Sequence, residues 1–315
     1  MQIFFNILLM LGGLFLLIKG SDIFVNSSVV IARKLKMSNV LIGLTVVAFG
    51  TATPEILISI SSATSGHTGL AMGNLIGSNI FNLIFILGVC SLIKPFTVDL
   101  KSVYKEFLFS ILAIVLVLAM LITSSYYIPR LFSFSLIIFF MIYMFIIIRK
   151  NNSEEIEEIK DENLKTSKPF YITIFLFILG LALVFLGSEL VVNSAIFKAE
   201  TFGVTDRVIG LTIIAAGTSL PELSISLVSF KKGKGDLALG NIIGSNVFNL
   251  LFILGLTGSL ASLEVNNALI FDSLVLLIGS LITFLFLYTN KKLIRFEGAF
   301  LTLIYISYIV YTVFI

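Results

Sequence analysis

Ten stretches of apolar residues, each long enough to cross a membrane, divide this chain. They run at residues 3–32, 40–64, 69–92, 106–125, 131–148, 170–196, 208–230, 237–261, 267–289 and 297–315. An α-helix of about 20 apolar residues spans the hydrocarbon of a bilayer. The chain is 58% hydrophobic and only 12% charged, which excludes a water-soluble globular domain. The sequence therefore predicts an all-α membrane protein with ten transmembrane helices.

Basic residues are concentrated in alternate loops, and this predicts the orientation of the spans. With the N-terminus outside the cytoplasm, 17 of the 21 Lys and Arg residues fall in cytoplasmic loops and three in outer loops. Cytoplasmic loops carry the excess of Lys and Arg in membrane proteins. We therefore expect a multi-pass membrane protein with both termini on the non-cytoplasmic side.

A polar stretch separates two halves of the chain. Residues 1–150 are expected to form the first five-helix repeat, residues 151–169 a cytoplasmic linker, and residues 170–315 a second, inverted five-helix repeat. The acidic linker lacks the alternating ligands and mid-loop glycine of an EF-hand. The first and sixth spans approach 30 residues, more than a bilayer requires, so both are expected to tilt strongly.

The two halves of the chain are related by an internal repeat. A shift of 167 residues aligns residues 20–90 with 187–257, and 34 of the 71 positions are identical. One matching block pairs GTATPE with GTSLPE, and the other pairs GNLIGSNIFNLIFILG with GNIIGSNVFNLLFILG. Since each copy holds five spans, the second enters the membrane from the opposite side. Inverted repeats of this kind are typical of alternating-access transporters.

Helix-breaking residues fall in the middle of the paired spans. Proline costs about 3 kcal/mol in a helix interior, and Pro54 and Pro221 occupy matching positions. The helices are expected to break at these prolines and at the glycines of the two blocks, which are Gly50, Gly77, Gly217 and Gly244. Backbone groups freed in lipid are tolerated only where they line a cavity or meet a ligand. Matching breaks therefore predict a midplane site, although glycine also permits close helix packing.

Glu55 and Glu222 follow the two prolines, near the middle of their spans. A charge at that depth costs at least ~2.5–3.5 kcal/mol, and no basic residue lies nearby in sequence. An inverted repeat brings the two glutamates to one axis. Adjacent carboxylates stay ionised only with a cation between them, and otherwise take up protons. The pair therefore predicts a cation site, ideally for a divalent ion.

The residues around the glutamates fit calcium, which takes six to eight oxygen ligands of mixed type. Beside the two carboxylates, the candidate ligands are the side-chain oxygens of Asn82 and Asn249, the hydroxyls of Thr51, Thr218, Ser78 and Ser245, and carbonyls around Ala48 and Ala215. A zinc site is excluded because the chain has one histidine and one cysteine. Asp22 and Glu189 occupy equivalent positions in the first and sixth spans. They either line an ion path or are structural, with Asp22 able to pair with Lys19.

The duplicated GTxxPE and GNxxGSNxxN blocks resemble the alpha repeats of the cation/calcium exchanger superfamily. More narrowly, the chain is similar to compact prokaryotic sodium/calcium exchanger-type proteins over all ten spans. The resemblance implies an antiporter of a bacterial or archaeal cytoplasmic (inner) membrane that exchanges calcium for sodium by alternating access. Its central site would use one glutamate from each GTxxPE block, with Ser219 among the hydroxyl ligands. It also implies that the first and sixth helices slide across the core.

Two positions depart from the family pattern. Well-known sodium/calcium exchangers carry aspartate where this chain has Asn249, and the first repeat often has serine where this chain has Ala52. The coupling ion therefore stays open between sodium, which is preferred, and protons, with calcium or another divalent cation as cargo. The proton-coupled branch usually reads GNxxE instead of GTxxPE.

Other functional classes fit less well. A channel would also use carboxylates at the midplane, but inverted repeats with paired breaks favour an alternating site. A membrane enzyme lacks a Ser, Cys or His nucleophile set. We expect no cofactor, no nucleic acid and no obligate protein partner, only the transported Ca²⁺ and Na⁺ (or H⁺) and membrane lipid.

Overall fold

The computed structural model describes residues 2–97, 100–124, 126–151, 169–201 and 215–314. The helices are α1 (Gln2–Lys34), α2 (Asn39–Thr51), α3 (Thr53–Thr64), α4 (Thr68–Ile93), α5 (Leu100–Thr123), α6 (Arg130–Asn151), α7 (Phe170–Thr201), α8 (Ala215–Thr218), α9 (Leu220–Lys231), α10 (Gly235–Leu260), α11 (Asn267–Asn290) and α12 (Arg295–Phe314). Two short strands are β1 (Phe96–Thr97) and β2 (Lys292–Leu293). Residues 152–168 of the predicted linker and 208–214 of the seventh predicted span lie outside the described residues.

The described helices are those of a membrane protein. Seven of them are long and apolar enough to cross a bilayer, and α2 with α3 make an eighth, bent span. The outer helix α6 exposes large apolar side chains, such as Leu131 and Phe145, where lipid would contact them. The prediction of a helical membrane protein is thus confirmed, and the count of ten spans stays a prediction.

Helices α4 and α10 form the centre of the bundle. In the most apolar 18-residue stretch of each helix, 72% of the residues of α4 and 94% of those of α10 are buried. Helices α2 and α5 pack on α10, and α11 packs on α4. Both central helices carry the GNxxGSNxxN block, so the duplicated polar residues lie inside the protein.

The long helices α1 and α7 cross each other in opposite directions. A Cβ atom added to Gly13 would lie 2.8 Å from the carbonyl oxygen of Gly187, and one added to Gly20 would lie 2.9 Å from that of Gly180. Gly180 and Gly187 are the repeat partners of Gly13 and Gly20, so each contact has its counterpart. The reversed order of contacts means that equivalent helices of the two halves run antiparallel, as inverted repeats require.

Short backbone pairings join loops at the two ends of the bundle. Phe96 pairs with Leu293 in the antiparallel ladder of β1 and β2, just before α5. Tyr127 forms a bridge with Glu264 just after α5. Helix α5 has 24 residues, or about 36 Å, so the two pairings lie on opposite faces. Each joins two loops that the basic-residue pattern assigns to the same side of the membrane.

The predicted helix breaks at the prolines are present. Helices α2 and α3 meet at Ala52 (φ −78°, ψ 6°) with a bend of 46°, and α8 and α9 meet at Ser219 (φ −94°, ψ 8°). Pro54 and Pro221 lie in the first turn of α3 and α9. The missing N–H of proline costs nothing there, because first-turn amides have no intrahelical acceptor.

The predicted breaks at Gly77 and Gly244 are wrong. Helices α4 and α10 continue through both glycines and instead contain π-helical turns at Phe81–Ile86 and Phe248–Ile253. A glycine costs a helix only about 1 kcal/mol, which burial of these central helices outweighs. A π-helical turn inserts one residue into the helix and is frequent at functional sites. Here the two turns carry Asn82 and Asn249.

Candidate cation site

Glu55 and Glu222 lie in the first turns of α3 and α9, directly after the two bends. Both side chains are 0% exposed. The positive end of a helix dipole favours a carboxylate in the first turn, which offsets part of the cost of burying each charge. The bend that precedes Glu222 also reaches Glu55, since the hydroxyl of Ser219 lies 3.2 Å from Glu55 Oε1. The structure therefore brings both glutamates together inside the protein and does not turn them toward lipid.

Glu55 contacts the bend of the opposite repeat. The hydroxyl of Ser219 donates to Glu55 Oε1 at 3.2 Å, and Ser78 of α4 also faces this carboxylate. Ser219 and Ser78 are both 0% exposed. The carboxylate of one half is therefore surrounded by hydroxyls from both halves.

Glu222 has the corresponding neighbours. Thr51, in the last turn of α2, and Ser245 of α10 both face its carboxylate, and their hydroxyl oxygens lie 3.4 Å apart. The two carboxylates and the surrounding hydroxyls thus form one buried cluster between the repeats.

Several oxygen atoms of this cluster have no hydrogen bond to any described residue. They are Glu55 Oε2, both carboxylate oxygens of Glu222, Ser78 Oγ, and the side-chain oxygens of Asn82 and Asn249. A buried polar atom left without a partner costs about 1–3 kcal/mol. Carboxylate, amide and hydroxyl oxygens are the ligands that Ca²⁺ and other hard cations prefer. In the described part of the chain, no group of three or more His, Cys, Asp or Glu side chains could hold a metal ion, so the donor set suits a hard cation and not zinc.

The expectation of a freed carbonyl at Ala48 is wrong. That oxygen accepts the Ala52 amide at 3.0 Å, because helical bonding persists up to the bend, and it lies 3.3 Å from the Thr51 hydroxyl. Proline removes the donor for the carbonyl four residues earlier, which is Gly217 for the second repeat, and the Ser188 hydroxyl donates to that oxygen at 3.0 Å. Ala215 is the first residue of α8. The ligand roles of Ala48 and Ala215 stay predictions.

Two buried asparagines beside the site were not predicted from the sequence. Asn74 and Asn241 bond the hydroxyls of Thr218 and Thr51, respectively, across the repeat boundary. Both belong to the duplicated GN dipeptide, so the repeat itself carried the signal. The predicted pairing of Asp22 with Lys19 is wrong, because Asp22 forms an ion pair with Lys232 at 2.7 Å.

Comparison with known proteins decides the family. Residues 5–149 and 172–314 match the family described as sodium/calcium exchanger protein. The chain belongs to the sodium/calcium exchanger family. The resemblance that the two duplicated blocks carry is therefore confirmed, and the protein is a multi-pass membrane transporter of a class that contains antiporters, not enzymes.

Relatives in the sodium/calcium exchanger family match over nearly the whole chain. The putative antiporter CaxA of Alkalimonas amylolytica is 38% identical over 311 residues, 95% of both chains. The sodium/calcium exchanger MaX1 of Methanosarcina acetivorans is 33% identical over 341 aligned residues, 97% of both chains. A solved structure of the sodium-calcium exchanger NCX_Mj superposes with a TM-score of 0.83 at 36% identity, over 98% of this chain and 99% of that one.

Proposed function

We propose that this protein exchanges calcium for sodium across the prokaryotic cytoplasmic membrane, extruding calcium from the cytoplasm by alternating access. The observation that carries the proposal is the pair Glu55 and Glu222, fully buried beside matching helix bends. Two carboxylates balance the charge of one Ca²⁺, and the surrounding oxygens that lack hydrogen bonds supply further ligands. No resident cofactor is required by this chemistry.

Alternating access rests on two inverted five-helix repeats, ten transmembrane helices in all, with both termini on the non-cytoplasmic side. The antiparallel glycine contacts of α1 and α7 support the inversion. The reciprocal pairs Thr51 with Asn241 and Thr218 with Asn74 support it as well, since each bond has a counterpart at the repeat spacing. Two arrangements related by this pseudo-two-fold axis would open the same site to opposite sides.

Sodium is the proposed coupling ion. Na⁺ uses the same oxygen ligands as Ca²⁺, so several Na⁺ ions can replace one Ca²⁺ beside two carboxylates. The relatives MaX1 and NCX_Mj are named as sodium/calcium exchangers, which favours sodium over protons for this chain.

Flux into reconstituted vesicles tests the proposal. Purified protein in sodium-loaded liposomes should take up ⁴⁵Ca²⁺ when diluted into sodium-free buffer, and potassium-loaded liposomes at the same internal pH should not. A separate arm applies only a pH gradient. Uptake driven by the pH gradient alone would identify protons, and not sodium, as the coupling ion. Uptake without any gradient of counter-ion would indicate a channel. Competition with Mn²⁺, Mg²⁺ and Sr²⁺ ranks the cargo.

The residue at position 249 is expected to decide whether the site has two carboxylates, as with Asn249, or three. Asn249→Asp adds a third carboxylate among buried oxygens, and a unit charge ~4 Å away changes the interaction with a cation by several kcal/mol at an effective dielectric constant of ~20. We expect the half-saturating Ca²⁺ concentration to fall by about tenfold or more, with slower turnover, because the ion leaves less readily. Concentration-dependent ⁴⁵Ca²⁺ flux measures both.

A matched control adds the same charge elsewhere. Asn266 caps the N-terminus of α11 by accepting the Leu269 amide at 2.9 Å, and aspartate caps a helix equally well. Asn266→Asp should leave calcium affinity unchanged. Equal affinities for Asn249→Asp and the unaltered protein would remove Asn249 from the site.

A further inference from the structure

Each bend places one threonine against an asparagine of the opposite repeat. The Thr51 hydroxyl donates to Asn241 Oδ1 at 3.2 Å, in preference to the Ala48 carbonyl, which lies 3.3 Å away and already accepts the Ala52 amide. The Thr218 hydroxyl donates to Asn74 Oδ1 at 3.3 Å. All four side chains are buried. The two bonds are equivalents under the 167-residue repeat, so the same arrangement occurs twice.

Both asparagines are themselves held in orientation. Asn74 Nδ2 donates to Ser59 Oγ at 3.2 Å, and Asn241 Nδ2 donates to Ser226 Oγ at 3.4 Å. Ser59 and Ser226 each lie four residues, about one helical turn, after the glutamate of their helix. The amide oxygen of each asparagine therefore points at the threonine while its nitrogen is occupied by the serine.

The direction of the threonine proton matters for cation binding. A hydroxyl has one proton and two lone pairs. Thr51 faces the Glu222 carboxylate, and a proton donated to that carboxylate would occupy an oxygen that a cation needs. A proton donated to Asn241 instead leaves both the carboxylate and the threonine lone pairs available.

We propose that Asn74 and Asn241 are positioning residues that turn the hydroxyl protons of Thr218 and Thr51 away from the cation. The proposal deepens the proposed function and rests on it for the identity of the ion. It assigns these asparagines no direct contact with the cation, because their amide oxygens are engaged by threonine.

Equilibrium binding of ⁴⁵Ca²⁺ to purified protein tests this without any transport step. Asn241→Leu keeps a similar volume but removes the acceptor, and the loss of one neutral hydrogen bond predicts about fivefold weaker binding. Thr51→Val should weaken binding too, and the double variant should be no weaker than Thr51→Val alone, because both changes act through one hydroxyl. Asn246→Leu is the control: Asn246 is equally buried on α10 but donates to the Asn79 carbonyl at 3.3 Å, and calcium binding should be unchanged.

Additive losses in the double variant would overturn the proposal, as would an equal loss in Asn246→Leu. Thermal melting of each variant identifies any that fail to fold, and Asn74→Leu with Thr218→Val repeats the cycle in the other half. Normal calcium binding by the unaltered protein without sodium-driven flux would contradict the proposed function and leave this inference intact.

A second, independent observation concerns an ion pair between the long helix α1 and the core. Lys232 is the first residue after α9, and its Nζ atom lies 2.7 Å from Asp22 Oδ1. The same Nζ donates to the Asp22 carbonyl at 3.1 Å and to Asn26 Oδ1 at 2.6 Å. Deeper in the same contact, the Ser21 hydroxyl donates to Ser224 Oγ at 2.8 Å. One ammonium group thus fixes a whole turn of α1 to the end of α9.

The other repeat has no equivalent of this pair. Glu189 of α7 corresponds to Asp22 and is exposed. The position that corresponds to Lys232 is Ser65, which carries no charge. Two repeats that share the buried site therefore differ at the end of the helix that follows the bend.

We infer that Lys232 is a one-sided latch that holds α1 against α9 and closes the path to the site on that side of the membrane. Under the proposed topology this side is the cytoplasmic one. Breaking the latch is expected to raise the fraction of molecules that open toward the cytoplasm, because α1 then loses its ion pair with Lys232.

Cysteine alkylation measures that opening directly. Ser224→Cys places a thiol under α1, and the native Cys90 is buried, so we expect the reagent not to label it. In this background, Lys232→Gln and Asp22→Asn should each increase labelling by a membrane-impermeant maleimide in inside-out vesicles by about three- to tenfold, the range expected for a partly exposed ion pair with extra hydrogen bonds. Lys231→Gln removes the same charge from the neighbouring, exposed residue and should leave the labelling rate unchanged.

Equal rates in Lys232→Gln and the parent would overturn the latch, and so would an equal increase in Lys231→Gln. The same assay in right-side-out vesicles tests the sidedness: faster labelling only there would reverse the proposed topology and keep the latch. Because labelling requires no transported ion, the result does not depend on sodium/calcium exchange.

Discussion

Glu222→Gln is expected to reduce sodium-driven calcium flux by at least about 100-fold, while the protein still folds. Glutamine has nearly the same shape but removes one of two charges that face the cation. Removing one partner of a buried charge pair costs about 3–5 kcal/mol, and 3 kcal/mol corresponds to more than 100-fold. The protein should tolerate the change, since both oxygens of Glu222 lack a hydrogen bond to described residues and the variant buries one charge fewer. Initial rates of ⁴⁵Ca²⁺ uptake into sodium-loaded liposomes measure the loss.

Glu55→Gln should behave in the same way, because the two glutamates are repeat partners. Glu106→Gln is the matched control: Glu106 lies on α5 and is only 7% exposed, but it is not part of the cluster around the bends. Its flux per folded molecule should stay within about twofold of the unaltered protein, because distant sites contribute independently. Near-normal flux in Glu55→Gln or Glu222→Gln would remove that residue from the cation ligands.

The parts of the site that the sequence predicted are those that the duplication repeats. Glu55 and Glu222 belong to one matching block, and Asn82 and Asn249 to the other, so the pseudo-two-fold relation alone brings each pair toward one axis. The bends at Ala52 and Ser219 follow from proline chemistry, which acts locally. Local rules combined with symmetry were sufficient for these features.

Features that depend on tertiary packing were not predicted correctly. Gly77 and Gly244 look like breaks by propensity, but burial of the central helices keeps both positions helical. The pairing of Asp22 with Lys232 joins residues 210 positions apart, and no local pattern relates them. A near neighbour, Lys19, seemed the better partner because sequence distance was the only distance known.

The orientation of donors and acceptors was also beyond the sequence. Asn74 and Asn241 stand in the same duplicated block as the predicted ligands, so the repeat marks them as a pair. Whether such an amide contacts the cation or a threonine depends on which way its helix face turns. The structure directs both toward threonine hydroxyls, which the spacing of residues alone does not reveal.

Gly13→Ala is expected to destabilise the protein by about 1–3 kcal/mol, the usual cost of overpacking a tight contact. An added Cβ would lie 2.8 Å from the Gly187 carbonyl oxygen, 2.9 Å from Val191 Cγ2 and 3.0 Å from Leu190 Cβ. The first contact is with backbone, which cannot turn aside, so α1 and α7 must separate. Small residues at such crossings allow helices in lipid to approach closely and gain van der Waals contact. A lower midpoint of thermal unfolding in detergent measures the loss.

The preceding residue supplies the control for this effect. Gly12 lies in the same helix, but an added Cβ there meets nothing within 4 Å. Gly12→Ala should leave the unfolding temperature unchanged or raise it slightly, because alanine favours a helix by about 1 kcal/mol over glycine. Equal changes for the two variants would mean that glycine acts through helix propensity and not through the crossing. A loss confined to Gly13→Ala, accompanied by slower calcium flux, would tie the close contact of α1 and α7 to transport, since the two helices would no longer approach as closely at this crossing.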